Sequence, residues 1–217
     1  MYDFHNVALS SSEVLLLNLA VLSIIASSLI LSERSLKNQS QWPMIGLLAI
    51  FGISGRILLA PIPNVQPVTV IVLMAGAYYG ATRAIALGGT IALATNVIAL
   101  GHGPWTLFQA VGWGFAGIVG AHMSSRLLVN EKVRVNMMAI VAAILGFAFN
   151  WIVSLSILID TGSSMLIPYL LNGLVFDLYH AVGNVVFVAW MAAPLGEMMA
   201  RHRTTRNREA VREVATI

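Results

Sequence analysis

Residues 51–67 read Phe51-Gly-Ile-Ser-Gly-Arg56-Ile-Leu-Leu-Ala-Pro61-Ile-Pro63-Asn64-Val-Gln66-Pro67. An apolar run ends here in a loop that carries three prolines and two side-chain amides. One arginine, Arg56, sits inside the run, about one helical turn before the loop. A charge inside a hydrocarbon layer costs at least about 2.5 kcal/mol and usually marks a function. The loop beside it is stiff because proline fixes the backbone, and polar because of Asn64 and Gln66.

The stretch belongs to a series of similar runs. Apolar segments cover 13–32, 43–60, 67–82, 84–101, 104–123, 136–159 and 167–193. Each is close to the roughly 20 residues that a helical membrane span needs. The predicted fold is therefore all-α, a polytopic transmembrane helix bundle. Composition agrees: 58% of the 217 residues are hydrophobic and only 10% are charged, against roughly 25% charged in soluble domains. The mean hydropathy is +0.84. There is no cysteine, which excludes disulfides, zinc–thiolate sites and iron–sulfur clusters. The N-terminus has no lysine or arginine before the first run, so it does not read as a cleaved signal peptide and the first helix is expected to be retained.

Of the 12 lysines and arginines, all but Arg56 fall in breaks between runs or in the C-terminal tail. They follow the first, third and fifth runs and the last, so an alternating path puts them on one side. The positive-inside rule makes that side cytoplasmic. The chain is expected in the cell membrane as a multi-pass protein, N-terminus outside and C-terminus cytoplasmic. The loop 61–66 is then extracytoplasmic. The pI near 9.6 reflects membrane-flanking charge and not a nucleic-acid partner. The expected organisation is a first helix with a cytoplasmic loop (1–42), a membrane domain (43–200) and a basic cytoplasmic tail (201–217).

Other polar residues stand out against the apolar background. Asp177, His180 and Asn184 are spaced i, i+3, i+7 and share a helical face. Asp177 lies about 14 Å along the helix from Pro168, near mid-membrane. There it must pair or be protonated. Arg56 could reach it only if stretched, and His180 is the nearer alternative. Gln109 and Trp113 lie one turn apart after the loop Gly101-His-Gly-Pro-Trp105, where Trp105 suits a membrane interface. Asn96 and Asn150 are single amides whose default role is to bond neighbouring helices. No phosphate-binding GxxxxGK[ST] loop, no Gly-x-Ser-x-Gly elbow and no His-Glu-x-x-His zinc motif occurs. No catalytic residue and no metal site is expected. The residues describe a binder of a polar or amphipathic solute entering from outside, with no ATPase of its own.

Taken together, Gly55-Arg56, Pro61-Ile-Pro-Asn-Val-Gln-Pro67, Gly101-x-Gly-Pro-Trp-Thr106 with Gln109, and Asn172-Gly-Leu-Val-Phe-Asp177-x-x-His180-Ala-x-Gly-Asn184 resemble the substrate-binding S components of energy-coupling factor (ECF) vitamin transporters, most closely the cobalamin-type branch. The resemblance covers roughly residues 43–200. It implies a six-helix S-component-like core, which makes 13–32 an extra N-terminal transmembrane helix. It implies a vitamin ligand, with cobalamin or a related corrinoid favoured, and no covalently bound cofactor. The partners it implies are a transmembrane T subunit, two cytoplasmic ATPase subunits and the lipid bilayer. The substrate-binding residues expected from it are Arg56, Asn64, Gln66, Trp105, Gln109, Asn172, Asp177 and His180. Family members often carry Ala-x-x-x-Ala on the first core helix for coupling. Here the second alanine is Ile53, and Gly46, Ala49 and Gly52 supply the small residues instead. The alternatives are an S component for another vitamin, a non-transport membrane subunit, and an intramembrane haem protein or enzyme using His180 with His122 or His102.

Overall fold

The computed structural model describes residues 10–34, 41–159 and 161–215. The elements are α1 (Ser11–Arg34), α2 (Trp42–Leu58), α3 (Val68–Tyr79), α4 (Ala81–Thr95), α5 (Trp105–His122), α6 (Ser124–Leu127), β1 (Leu128–Val129), β2 (Lys132–Val133), α7 (Val135–Ser154) and α8 (Leu166–Ala215). A π-helical turn, Asn96–Leu100, prolongs α4, and a 3-10 turn, Leu155–Ile159, prolongs α7. Each apolar run of the sequence thus becomes one helix. Three helical segments, 81–100, 135–159 and 163–202, are long and apolar enough to cross a membrane. Residues 35–40 with Lys37, the N-terminal residues 1–9, Asp160 and the final two residues lie outside the described residues, as do the side chains of the tail arginines from Arg203 onward.

α3 is the hub of the bundle. All of its 12 residues are buried, which is what a helix apolar on every side requires. It packs on α5, α4, α8, α2 and α7. The approach to α5 is backbone to backbone: a Cβ on Gly76 would collide with the carbonyl oxygen of Gly117, and one on Gly120 with that of Leu73. Small residues let helices come this close, and the gain is dispersion and packing rather than water release. α1 lies against α4 and α5 on the outside of the core, with Val21 buried and Ile25 against Gly89.

The two ends of the bundle differ. One end carries the turn 59–67, the turn 101–104 and the turn between α7 and α8. Pro61 and Pro63 follow the end of α2 at Leu58, as a residue with no N–H should. Asn64 takes a left-handed φ of 58°, a conformation that asparagine tolerates better than most residues. The other end carries Gly80 between α3 and α4, and the hairpin after α5. That hairpin was not anticipated. It pairs Leu128 with Val133 and Val129 with Lys132, and Asn130 and Glu131 both have positive φ, the signature of a two-residue turn matched to strand twist. Tyr78 donates to the Glu131 carbonyl at 2.7 Å and Tyr79 to that of Met199 at 3.2 Å, which ties this end together.

α8 departs from the expected boundary. It continues unbroken through residue 200 to Ala215, with Pro194 inside it. Residues 201–215 of the polar tail therefore continue the last helix.

Candidate functional site

Arg56 is 6% exposed, in the last turn of α2. Its guanidinium is held from three elements. Nε donates to Gln66 Oε1 at 2.9 Å. Nη1 donates to Thr95 Oγ1, at the end of α4. Nη2 donates to Gln109 Oε1, on α5, at 3.1 Å. The Arg56 Cζ also lies 4.8 Å from the centroid of the Trp113 ring, within range for a cation–π contact. No carboxylate neutralises this charge among the described residues. The network continues outward: Asn96 Nδ2 donates to Gln109 Oε1 at 2.7 Å and to Thr106 Oγ1 at 2.8 Å. The local fold explains the convergence. The prolines end α2 directly after Arg56, the chain reverses, and Gln66 is brought back beside it. The π turn starts at Asn96, so Thr95 and Asn96 mark the place where the α4 ladder changes register, a feature frequent at functional sites.

Arg56, Gln66 and Gln109 line a cavity of about 410 Å³, together with Asn64, Asn96 and Trp105. A second cavity of about 630 Å³ is lined by Asn64, Asn172, Phe176 and Asp177, among others. The two share Asn64, Asn150, Val153 and Tyr169, so they adjoin. Both fall in the size range of small-molecule sites, roughly 300–1,000 Å³.

Seven of the eight expected binding residues border these two cavities. Arg56, Gln66, Trp105 and Gln109 stand at the first, Asn172 and Asp177 at the second, and Asn64 at both. His180 borders neither. It is fully buried and belongs to a closed relay: Trp113 Nε1 donates to Thr69 Oγ1 at 3.2 Å, Thr69 and His180 Nε2 are 2.9 Å apart, His180 Nδ1 lies 3.3 Å from Asn150 Oδ1, and Asn150 Nδ2 donates to the Phe176 carbonyl at 3.5 Å. Because Asn150 uses its amide nitrogen on that carbonyl, its oxygen faces His180, which assigns the proton to Nδ1. The Phe149 ring stacks on Trp113 at 4.8 Å and tilts against His180 at 5.1 Å.

Asp177 pairs with neither Arg56 nor His180. Its Oδ2 accepts from Trp151 Nε1 of α7 at 2.9 Å. It shares a helix stripe with His180, but its carboxylate turns to the neighbouring helix while the imidazole turns inward. Asn96 bonds its helix to α5, through Thr106 and Gln109, as its default role predicts, and it also lines the first cavity, whereas Thr95 is a site residue that sequence reasoning misses. Their signal was the pair of adjacent polar residues in an apolar run. His102 lies in the turn 101–104 with its Nδ1 3.1 Å from Thr106 Oγ1 and its Nε2 buried without a partner. Burial pushes its imidazole below the usual histidine range. No cluster of three metal-ligating side chains occurs among the described residues. His102 and His122 lie at opposite ends of α5.

No known protein family, curated protein or solved structure matches the chain. The functional reading therefore stands on the site itself.

Proposed function

We propose that this protein is the membrane-embedded substrate-specificity component of an ECF-type uptake complex, binding a vitamin-class solute from outside the cell. The observation that carries the reading is Arg56: a buried guanidinium with no counter-ion among the described residues, held by amides in the wall of a cavity at one end of the bundle. Such a charge is costly where it stands. A ligand that meets it accounts for its presence.

The rest of the reading follows. Residues 43–200 form a six-helix core and α1 an additional span. All seven long helices cross the bilayer, with the Arg56 end outside. The placement of Arg83, Arg126, Lys132 and Arg134 at the opposite end supports that orientation. The site offers amides, aromatic rings and one cation, a set suited to recognition. ATP hydrolysis belongs to two cytoplasmic ATPase subunits, joined through a transmembrane T subunit. The α2 surface is the docking face in this reading. Gly46 is open and Ala49 half-buried there. Gly52 instead faces inward onto Ile91, so it supports the packing of α2 and not a partner. A corrinoid is the first candidate ligand, and the adjoining cavities support a solute larger than either one alone.

The test is thermal stabilisation of the purified protein by a panel of vitamins that includes cobalamin. A ligand at 100 times its Kd stabilises the native state by about 2.7 kcal/mol. A clear rise in melting temperature with one member is expected. No response to any member would sink the proposal in favour of a structural subunit.

A further inference from the structure

We infer that the group recognised at Arg56 is an anionic acceptor, a carboxylate or phosphate, and that the protein selects acids over their neutral analogues. The inference rests on the binding reading above and adds the substrate class. Its basis is the direction of the hydrogen bonds. A guanidinium has five N–H donors and accepts nothing. The side-chain atoms of Gln66 and Gln109 that face it must therefore be their carbonyl oxygens, at 2.9 and 3.1 Å. The Gln109 oxygen is fixed a second time by Asn96 Nδ2 at 2.7 Å. Both glutamine NH2 groups are thus left over, and neither donates to an acceptor among the described residues. Three of the five arginine donors are used, by Gln66, Thr95 and Gln109, which leaves two.

The consequence is a patch of cavity wall, formed by Arg56, Gln66 and Gln109, whose unspent side-chain hydrogen-bonding groups are N–H donors centred on a full positive charge, with Asn96 Oδ1 as an unpaired acceptor beside it. Arg56, Gln66 and Gln109 all border the same space. Trp113 covers the inner face of the guanidinium at 4.8 Å, and that ring is fully buried, so access is left from the cavity side. Hydrogen bonds to an ionised acceptor are about twice as strong as neutral ones, and the low surrounding dielectric raises the attraction further. A neutral amide in the same place would gain only ordinary hydrogen bonds. It would also bring an NH2 group against the donors of Arg56, Gln66 and Gln109. The second cavity, bordered by Met165, Pro168, Phe176 and Ile157 as well as amides and the Asp177 carboxylate, has room for the less polar body of such a molecule and disfavours its anionic end there, so the acid is directed to Arg56.

The experiment uses the full chain in lipid nanodiscs and matched acid and neutral probes: nicotinate with nicotinamide, biotin with biotinamide, pantothenate with panthenol, cobyric acid with cobinamide, and pyridoxal 5′-phosphate with pyridoxal. Melting temperature and calorimetric affinity are read for each. The expected result is that, wherever a pair binds, the acid binds at least 10-fold more tightly. The phosphate pair against the carboxylate pairs separates the two acceptor chemistries. Arg56→Gln is expected to abolish the preference. Should that variant fail to fold, Gln109→Glu provides the second test. It places a carboxylate on the guanidinium, and is expected to raise the ligand-free melting temperature while lowering acid affinity at least 10-fold. Equal binding of acid and neutral members, or unchanged acid affinity in Gln109→Glu, overturns the inference and leaves the binding reading intact. Silence from every probe of both kinds removes both.

Discussion

Two buried polar clusters lie side by side in this bundle and share Trp113 as a common wall. The cluster around His180 runs as a relay from Trp113 through Thr69, His180 and Asn150 to the Phe176 carbonyl, each side chain bonded to the next. The cluster around Arg56 has its carbonyl acceptors spent on the guanidinium and its amide donors left over. The first meets the cavities only at its far end, through Asn150 and Phe176, while His180 and Thr69 border neither. The second opens on one. The difference separates a device that holds helices together from a device that waits for something. The burial of the central side chains alone would not have told them apart, since Arg56 and His180 are both almost completely buried.

That contrast makes opposed expectations. Arg56→Ala is expected to lower ligand affinity on the order of 100-fold, from the loss of charged hydrogen bonds together worth about 3 kcal/mol. Calorimetry on the variant checks it, and unchanged affinity would take Arg56 out of the site. His180→Ala should do the reverse. It strips a partner from both Thr69 and Asn150 in the core, at about 1–3 kcal/mol for each group left unsatisfied. The expected readout is a lower melting temperature, with a much smaller loss of affinity than in Arg56→Ala, passed on through Asn150 in the cavity wall. Loss of affinity with no loss of stability would break the comparison. The smallest effect concerns His102, on the rim. Its burial depresses the folded-state pKa, so the unfolded chain takes up a proton first as the pH falls. Its contribution to stability is full above the ordinary histidine pKa of about 6.5 and is lost as the pH drops through the depressed folded value. Melting temperatures measured from pH 7.5 downward should fall less steeply in His102→Asn than in the natural protein.

Much of the helical layout was legible beforehand because apolar runs of the right length have few other solutions. Arg56 was legible as a cost without a visible compensation, and its neighbours Gln66 and Gln109 as amides close to loops. The fate of Asp177 was not. Its helical stripe was clear, but the choice among Arg56, His180 and Trp151 depends on how α7 and α8 rotate against each other, which no local pattern encodes. Thr95 was hidden for a related reason. A threonine in a helix satisfies its hydroxyl on its own backbone, as this one does on the Ile91 carbonyl at 2.7 Å, so nothing in the run hints at its second role as an acceptor for arginine. The hairpin at 128–133 lacks the glycine that usually announces such a turn, and the two positive φ values fall instead on Asn130 and Glu131.

The glycine contacts between α3 and α5 bear on motion. Helices joined through side chains can slide, because rotamers adjust. These two touch through backbone at Gly76 and Gly120, where there is no side chain to adjust, so the contact resists sliding. Gln109 and Trp113 belong to that pair. Gln66 belongs to the turn before it, outside the pair. Gln109 and Gln66 therefore reach the same guanidinium from different bodies, one from the α3–α5 pair and one from the turn 59–67. Arg56, bonded to both, ties the turn to the pair.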